Sequence, residues 1–180
     1  MARTVQMIAK TFQGLETVLA SELSDLGANQ ITPLNRAVSF YGNKEMMYSC
    51  NLNLRTAISV LLPIEKFEAN SSDELYTRAL RTDWTDFFGP DNTFSISNSI
   101  SSSIFTHSQF ASQRLKDAIC DHFRNQTGRR PSVDTKDPDI RINLHIYEDQ
   151  VTLSLDSSGE PLFKRNYRQG SAPAPLNEVH

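Results

Sequence analysis

Ile140-Arg141-Ile142-Asn143-Leu144-His145-Ile146-Tyr147 puts an apolar side chain at every second position, so this stretch reads as a strand with one buried and one polar face. Glu148-Asp149-Gln150 offers a short turn, and Val151, Leu153 and Leu155 resume the alternation, which predicts a hairpin over 140–155. Upstream, Ala111, Leu115, Ala118, Ile119 and Phe123 share one face of a helix predicted from Gln109 to Gln126, with Ser108 as its cap. Residues 127–139 hold Gly128, Pro131 and Pro138 and read as a loop. A helix followed by a hairpin points to a mixed α/β (α+β) unit.

Further out, Ser71-Ser72-Asp73-Glu74 is a helix-start signature, with Ser71 as N-cap and Glu74 at the third helical position. Leu75, Ala79 and Leu80 give that helix an apolar side, Trp84, Phe87 and Phe88 form an aromatic core turn, and Thr93 to Ile100 alternates as a half-buried strand. Nearer the start, Thr4 to Ala9 suits a strand, and Leu15, Val18, Leu19, Leu23 and Leu26 mark a helix that Gly27 ends. Ile31 to Leu34 and Ala37 to Tyr41 read as strands joined at Asn35-Arg36, with Pro33 pushing the first to an edge. Asn43 caps a helix carrying Met46, Met47, Cys50 and Leu54, and Ala57 to Phe67 is a further strand. The order β-α-β-β-α-β over residues 4–67 is that of the ferredoxin-like motif.

The chain has 180 residues, 18 basic and 21 acidic, for a formal charge of -3, so no global charge announces a nucleic-acid or membrane partner. Two cysteines, Cys50 and Cys120, are no disulfide framework, and the composition reads as cytoplasmic. The first residues are too short an apolar run for a signal-peptide core, and no run of apolar residues spans a bilayer.

His107, His122, His145 and His180 show no metal-ligand spacing, and no P-loop, Gly-x-Gly pair or Gly-x-Ser-x-Gly is present. We therefore expect no catalytic, cofactor-binding or metal site in this chain. Asp134, Asp137 and Asp139 read as turn formers beside Pro138. The positive signal is local. Residues 1–102 carry 8 basic and 11 acidic residues, and residues 103–180 carry 10 of each. Gln109, Gln113, Lys116 and Arg124 fall on one side of the predicted helix, away from its apolar face. With Arg114, and with Arg129-Arg130 just beyond the helix, they form a candidate surface for a phosphate backbone. The island Lys164-Arg165-Asn166-Tyr167-Arg168 adds Lys164, Arg165 and Arg168 as phosphate contacts and Tyr167 as a stacking aromatic.

Three stretches carry a resemblance: His107-Ser108-Gln109-Phe110 through Lys116-Asp117-Ala118-Ile119, Arg130-Pro131-Ser132-Val133-Asp134, and Asp137-Pro138-Asp139-Ile140-Arg141-Ile142. With them the chain resembles a THUMP domain, and more closely the ferredoxin-like plus THUMP region of the bacterial 23S ribosomal RNA guanine-N2 methyltransferases. Agreement runs from Phe12-Gln13-Gly14-Leu15-Glu16 to Leu153-Ser154-Leu155-Asp156-Ser157-Ser158-Gly159-Glu160 and Ala174-Pro175-Leu176-Asn177-Glu178. Asn166 departs from it, standing where the family commonly has Gly.

The resemblance implies a ferredoxin-like domain over 1–68, an RNA-binding THUMP domain over 69–158 and a linker over 159–180. It implies a methyltransferase domain that lies outside this chain and uses S-adenosylmethionine. The expected role is to hold structured 23S ribosomal RNA while that domain reaches a guanine. Two other classes stay open: a stand-alone α+β protein-interaction module without RNA affinity, and a small hydrolase built on His107 and neighbouring serines.

Overall fold

The computed structural model describes residues 4–157, which fall into two compact units, residues 4–63 with 156–157 and residues 64–155. Both are mixed α/β.

The first unit runs β1 (Val5–Lys10), α1 (Glu16–Asp25), β2 (Asn29–Leu34), β3 (Ala37–Gly42), α2 (Lys44–Asn53) and the opening half of β4 (Ser59–Glu68). Its strands lie in the order β2-β3-β1-β4, with β1 antiparallel to both β3 and β4, which is the ferredoxin-like arrangement expected from the element order. Pro33 sits on β2, the edge strand, where its missing N–H costs no ladder bond. Met7, Ala9, Leu19, Leu23, Val38, Phe40, Met47, Cys50 and Val60 make the core.

Local signals fix the ends of these helices. Gly27, at φ 94°, closes α1 with its N–H on the Ser24 carbonyl, while the Ala28 N–H reaches Leu23, the paired bonds of a Schellman cap. Asn43 Oδ1 accepts the Met46 N–H at 2.9 Å. Val18 departs from the expected apolar face of α1: it is 46% exposed, while the buried residues of the helix are Leu19 and Leu23.

The second unit continues β4 and adds α3 (Ser72–Leu80), a 3₁₀ turn at Trp84–Asp86, β5 (Thr93–Ser101), α4 (Ser108–Thr127), β6 (Ser132–Val133), β7 (Ile140–Tyr147) and β8 (Gln150–Asp156). The strand order is β4-β8-β7-β5-β6. β7 and β8 form the predicted antiparallel hairpin, Tyr147 opposite Gln150, and β7 alternates buried and exposed as its sequence requires. The core lies between Ile140, Ile142, Leu144, Ile146, Leu153 and Leu155 on the strands and Leu75, Leu115, Ile119 and Phe123 on the helices. Trp84 is fully buried and donates its indole N–H to the Ala79 carbonyl at 2.8 Å, and Phe88 packs on Phe123 with ring centroids 4.9 Å apart.

Ser71 caps α3 as its sequence predicts, Oγ accepting the Glu74 N–H at 3.1 Å, and the Glu74 carboxylate returns to the Asn70 N–H at 2.7 Å. Two expectations are corrected. α4 starts at Ser108 with His107 in the cap position and no side-chain cap bond, so Ser108 is inside the helix. The segment read wholly as loop contains β6, whose two residues pair in parallel with Thr93 and Phe94.

Candidate nucleic-acid interface

α4 offers two unlike surfaces. Ala111, Leu115, Ala118, Ile119, His122 and Phe123 are buried, His122 with its Nδ1 2.9 Å from the Leu80 carbonyl, while Gln109, Gln113 and Arg124 are exposed. Lys116 is half-buried. At 100° per residue Gln109, Gln113, Lys116 and Arg124 share one flank of the helix.

The chain beyond α4 is held tightly. Gly128 takes φ 82°, its N–H bonding the Arg124 carbonyl at 2.9 Å, so the backbone reverses where only a residue without a Cβ does so freely. Thr127 Oγ1 donates within that turn and also accepts the Arg129 N–H at 3.2 Å. Pro131 is buried, with the Cys120 thiol 3.9 Å from its carbonyl, and β6 follows at once. These contacts bring Arg130 back beside α4. Burial raises the Cys120 thiol above its usual range; the charges of Arg130 and Lys116 oppose that shift, and those of Asp117 and Asp121 add to it.

The proposed cations are not equivalent. Among the described residues Lys116 and Arg130 form no ion pair. Arg124 pairs with Asp121 at 3.1 Å, and Arg129 pairs with Asp91. Arg114 is directed toward α3: its guanidinium lies 4.3 Å from the Tyr76 ring centroid and 3.6 Å from the carboxylates of Asp73 and Asp117. Lys164, Arg165, Tyr167 and Arg168 lie outside the described residues.

The acidic loop residues have structural tasks. Asp134 Oδ1 accepts the N–H groups of Lys136 and Asp137, bonds that hold its carboxyl below the usual range. Asp139 Oδ2 accepts from Thr93 N–H at 3.1 Å and from the Asn92 amide at 3.2 Å, joining the start of β7 to β5.

One residue escaped the reading of charge. Phe110 is 54% exposed and lies on the same ridge as Gln113 and Lys116, each three residues from the next. Its place outside the Ala111, Leu115, Ala118 stripe was the available signal.

Comparison with known proteins adds identity. The RlmL ferredoxin-like domain family matches residues 6–61, and the THUMP domain family matches residues 69–156. The chain is 42% identical over 178 residues to the ribosomal RNA large subunit methyltransferase K/L of Methylococcus capsulatus, covering 99% of this chain and 24% of that protein. A putative RNA methyltransferase of Synechocystis is 38% identical over 178 residues, covering 99% of this chain and 46% of that protein. The chain thus spans about a quarter to under half the length of these relatives. Among solved structures, a predicted N6-adenine-specific DNA methylase from Listeria monocytogenes matches with a TM-score of 0.74 at 26% identity, over 97% of this chain and 46% of that one. SMU.472, a putative methyltransferase complexed with SAH, shares the fold with a TM-score of 0.73 at 24% identity over 87% of this chain and 42% of that one. Residues 6–61 are thus an RlmL-type ferredoxin-like domain and residues 69–156 a THUMP domain, and over both the chain is similar to ribosomal RNA large subunit methyltransferases K/L.

Proposed function

We propose that this chain is the RNA-recognition part of an S-adenosylmethionine-dependent 23S ribosomal RNA guanine-N2 methyltransferase. In this reading the flank of α4 and the Arg129-Arg130 turn hold structured RNA while a separate catalytic domain inspects the target base. The division of labour is physical: contacts to phosphates fix register and orientation, whereas methylation requires a base taken out of its stack. The domain limits 1–68 and 69–158 belong to the same proposal, as does a cofactor held by the parent enzyme and not by these residues.

The observation that carries the reading is that Lys116 on the flank of α4, and Arg130 in the segment whose Pro131 carbonyl returns to Cys120, each form no ion pair among the described residues. Two unpaired cations on adjoining segments suit a polyanion, and an Arg fork matches phosphate oxygens. Gln109 and Gln113 extend the flank with uncharged donors and acceptors.

Filter binding to a structured ribosomal RNA hairpin at several salt concentrations tests it. Lys116→Ala and Arg130→Ala each weaken binding several-fold and flatten the salt dependence by roughly 0.7 to 0.9 in log affinity per log salt. Arg129→Ala has a smaller effect, its charge being shared with Asp91, and Lys44→Ala has none. Equal behaviour of Lys116→Ala and Lys44→Ala, or equal affinity for heparin and for the hairpin, overturns the reading and favours the protein-interaction module.

A further inference from the structure

The first unit contains a second cationic feature, remote in sequence from α4. Lys10, Thr11, Phe12, Gln13, Arg36 and Ile58 line an open cleft of about 570 Å³. Three parts of the chain build it: the end of β1, the turn between β2 and β3, and the residue ahead of β4. Their backbones are locked together, Thr11 N–H to the Arg36 carbonyl at 2.9 Å and Ile58 N–H to the Lys10 carbonyl at 2.7 Å. Arg36 is fixed in the left-handed region at φ 59°, with its N–H on Glu16 Oε2 at 2.8 Å. The side chains therefore converge on a preformed frame.

Charge and apolar surface meet in this cleft. The Lys10 ammonium has no hydrogen-bond or ion-pair partner among the described residues; half-burial, and then the neighbouring Arg36 charge, push its pKa down. Arg36 contacts Gln13 Oε1 at 3.3 Å through one terminal nitrogen. Glu16 is the acid that faces Arg36, and both its oxygens accept backbone N–H groups, those of Arg36 and Gly14. Beside the cations stand Phe12, 65% exposed, and Ile58, 56% exposed. Two like charges beside an uncovered aromatic ring suit a ligand that joins an anion to a flat apolar body. A simple anion would leave Phe12 in water, and an apolar peptide would leave Lys10 and Arg36 unanswered.

We propose that this cleft is a binding site for a nucleoside phosphate, with the phosphate on Lys10 and Arg36 and the base against Phe12 and Ile58. The ligand is either a free nucleotide or the end of an RNA strand, since both present the same group. The site is separate from the α4 flank and does not depend on it.

Calorimetry on the full chain, with inorganic phosphate, GMP, AMP and a trinucleotide with and without a 5′-phosphate, tests this. Both nucleotides should bind about tenfold more tightly than inorganic phosphate, the increment reflecting stacking on the ring. Lys10→Met, which keeps the buried stem, removes the binding of every probe. Phe12→Ala, at an exposed position, removes only the increment. A second readout is the Lys10 ammonium followed by NMR, whose pKa rises when a phosphate is bound. Preference for the 5′-phosphorylated trinucleotide over GMP assigns the site to RNA ends, and parity assigns it to free nucleotides; either result sustains the site. No saturable binding, or Phe12→Ala indistinguishable from the unaltered chain, overturns it. Because Lys116→Ala and Arg130→Ala leave nucleotide binding unchanged, failure here and failure of the α4 surface are told apart.

Discussion

The Arg114 guanidinium carbon lies 4.3 Å from the centroid of the Tyr76 ring, and that contact joins α4 to α3. The Tyr76 hydroxyl in turn donates to Asp121 on α4, a bond that raises the phenol's pKa, so ring and hydroxyl both hold the helices together. Arg114 thus differs from Lys116, two residues on, although sequence alone grouped them.

From this relationship Arg114→Ala should cost about 1 kcal/mol, mainly through the lost ring contact, because the Asp73 partner is 94% exposed and contributes little. Trp84, the chain's single tryptophan and part of the same core, reports the loss as a lower urea midpoint in fluorescence. RNA affinity of the folded variant and its salt slope should stay unchanged. If Arg114→Ala bound RNA as weakly as Lys116→Ala at unchanged stability, Arg114 would be an RNA contact instead.

The absence of any glycine-rich cofactor loop from the sequence gives a second expectation. Calorimetry with S-adenosylmethionine should show no saturable binding to the chain, and no methyl group should reach RNA in its presence. A one-to-one isotherm would mean that a cofactor site exists here without a recognisable loop.

What the sequence revealed divides along physical lines. Signals confined to one element were legible: the alternation of Ile140 to Tyr147, the caps at Asn43 and Ser71, and the stop at Gly27. Features made by contact between distant segments were not. β6 is two residues long and exists only because β5 lies beside it, and Phe67 to Ala69 gave no sign that Arg78 would stack over the Phe67 ring at 4.8 Å. The candidate cations show the same division. The flank of α4 follows from helical spacing, but the pairing of Arg129 with Asp91 and the return of Pro131 to Cys120 depend on how the Gly128 turn folds back. The cleft around Lys10 was invisible because its walls come from three separate segments.

Acid should weaken the second unit through Glu148. Its carboxylate accepts the N–H and hydroxyl of Ser103, at 3.1 and 2.8 Å, which holds its pKa below the usual value. A depressed folded-state pKa contributes stability above the unfolded value of about 4.3. That contribution is lost as pH falls through the lower folded value. Glu148→Gln should therefore lower Tm at pH 7 and shrink the difference in Tm between pH 7 and pH 3. An unchanged difference would place the acid sensitivity elsewhere.

The final prediction concerns Ser157, which the first unit needs although the rest of that unit comes from residues up to Pro63. Its N–H reaches the Val60 carbonyl at 2.9 Å and its hydroxyl reaches the same oxygen at 2.7 Å, while Asn51 Nδ2 donates to Ser157 Oγ at 3.3 Å. Ser157 is completely buried, so removing the hydroxyl takes away its bond to Val60 and the longer one from Asn51, whose amide keeps its bond to the Met47 carbonyl at 2.9 Å. Ser157→Ala should cost about 1 kcal/mol, the usual net worth of a hydrogen bond, since the Val60 carbonyl keeps the Ser157 N–H. Amide exchange should quicken in α2 and the opening half of β4 first, with Trp84 still buried in its own core. A fragment ending at Glu68 lacks Ser157 altogether and, at a size near the lower limit for an autonomous core, should be less stable than the same unit within the full chain. Equal exchange protection of β4 in the fragment and the full chain would show that the Val60 carbonyl finds another donor and that Ser157 is dispensable.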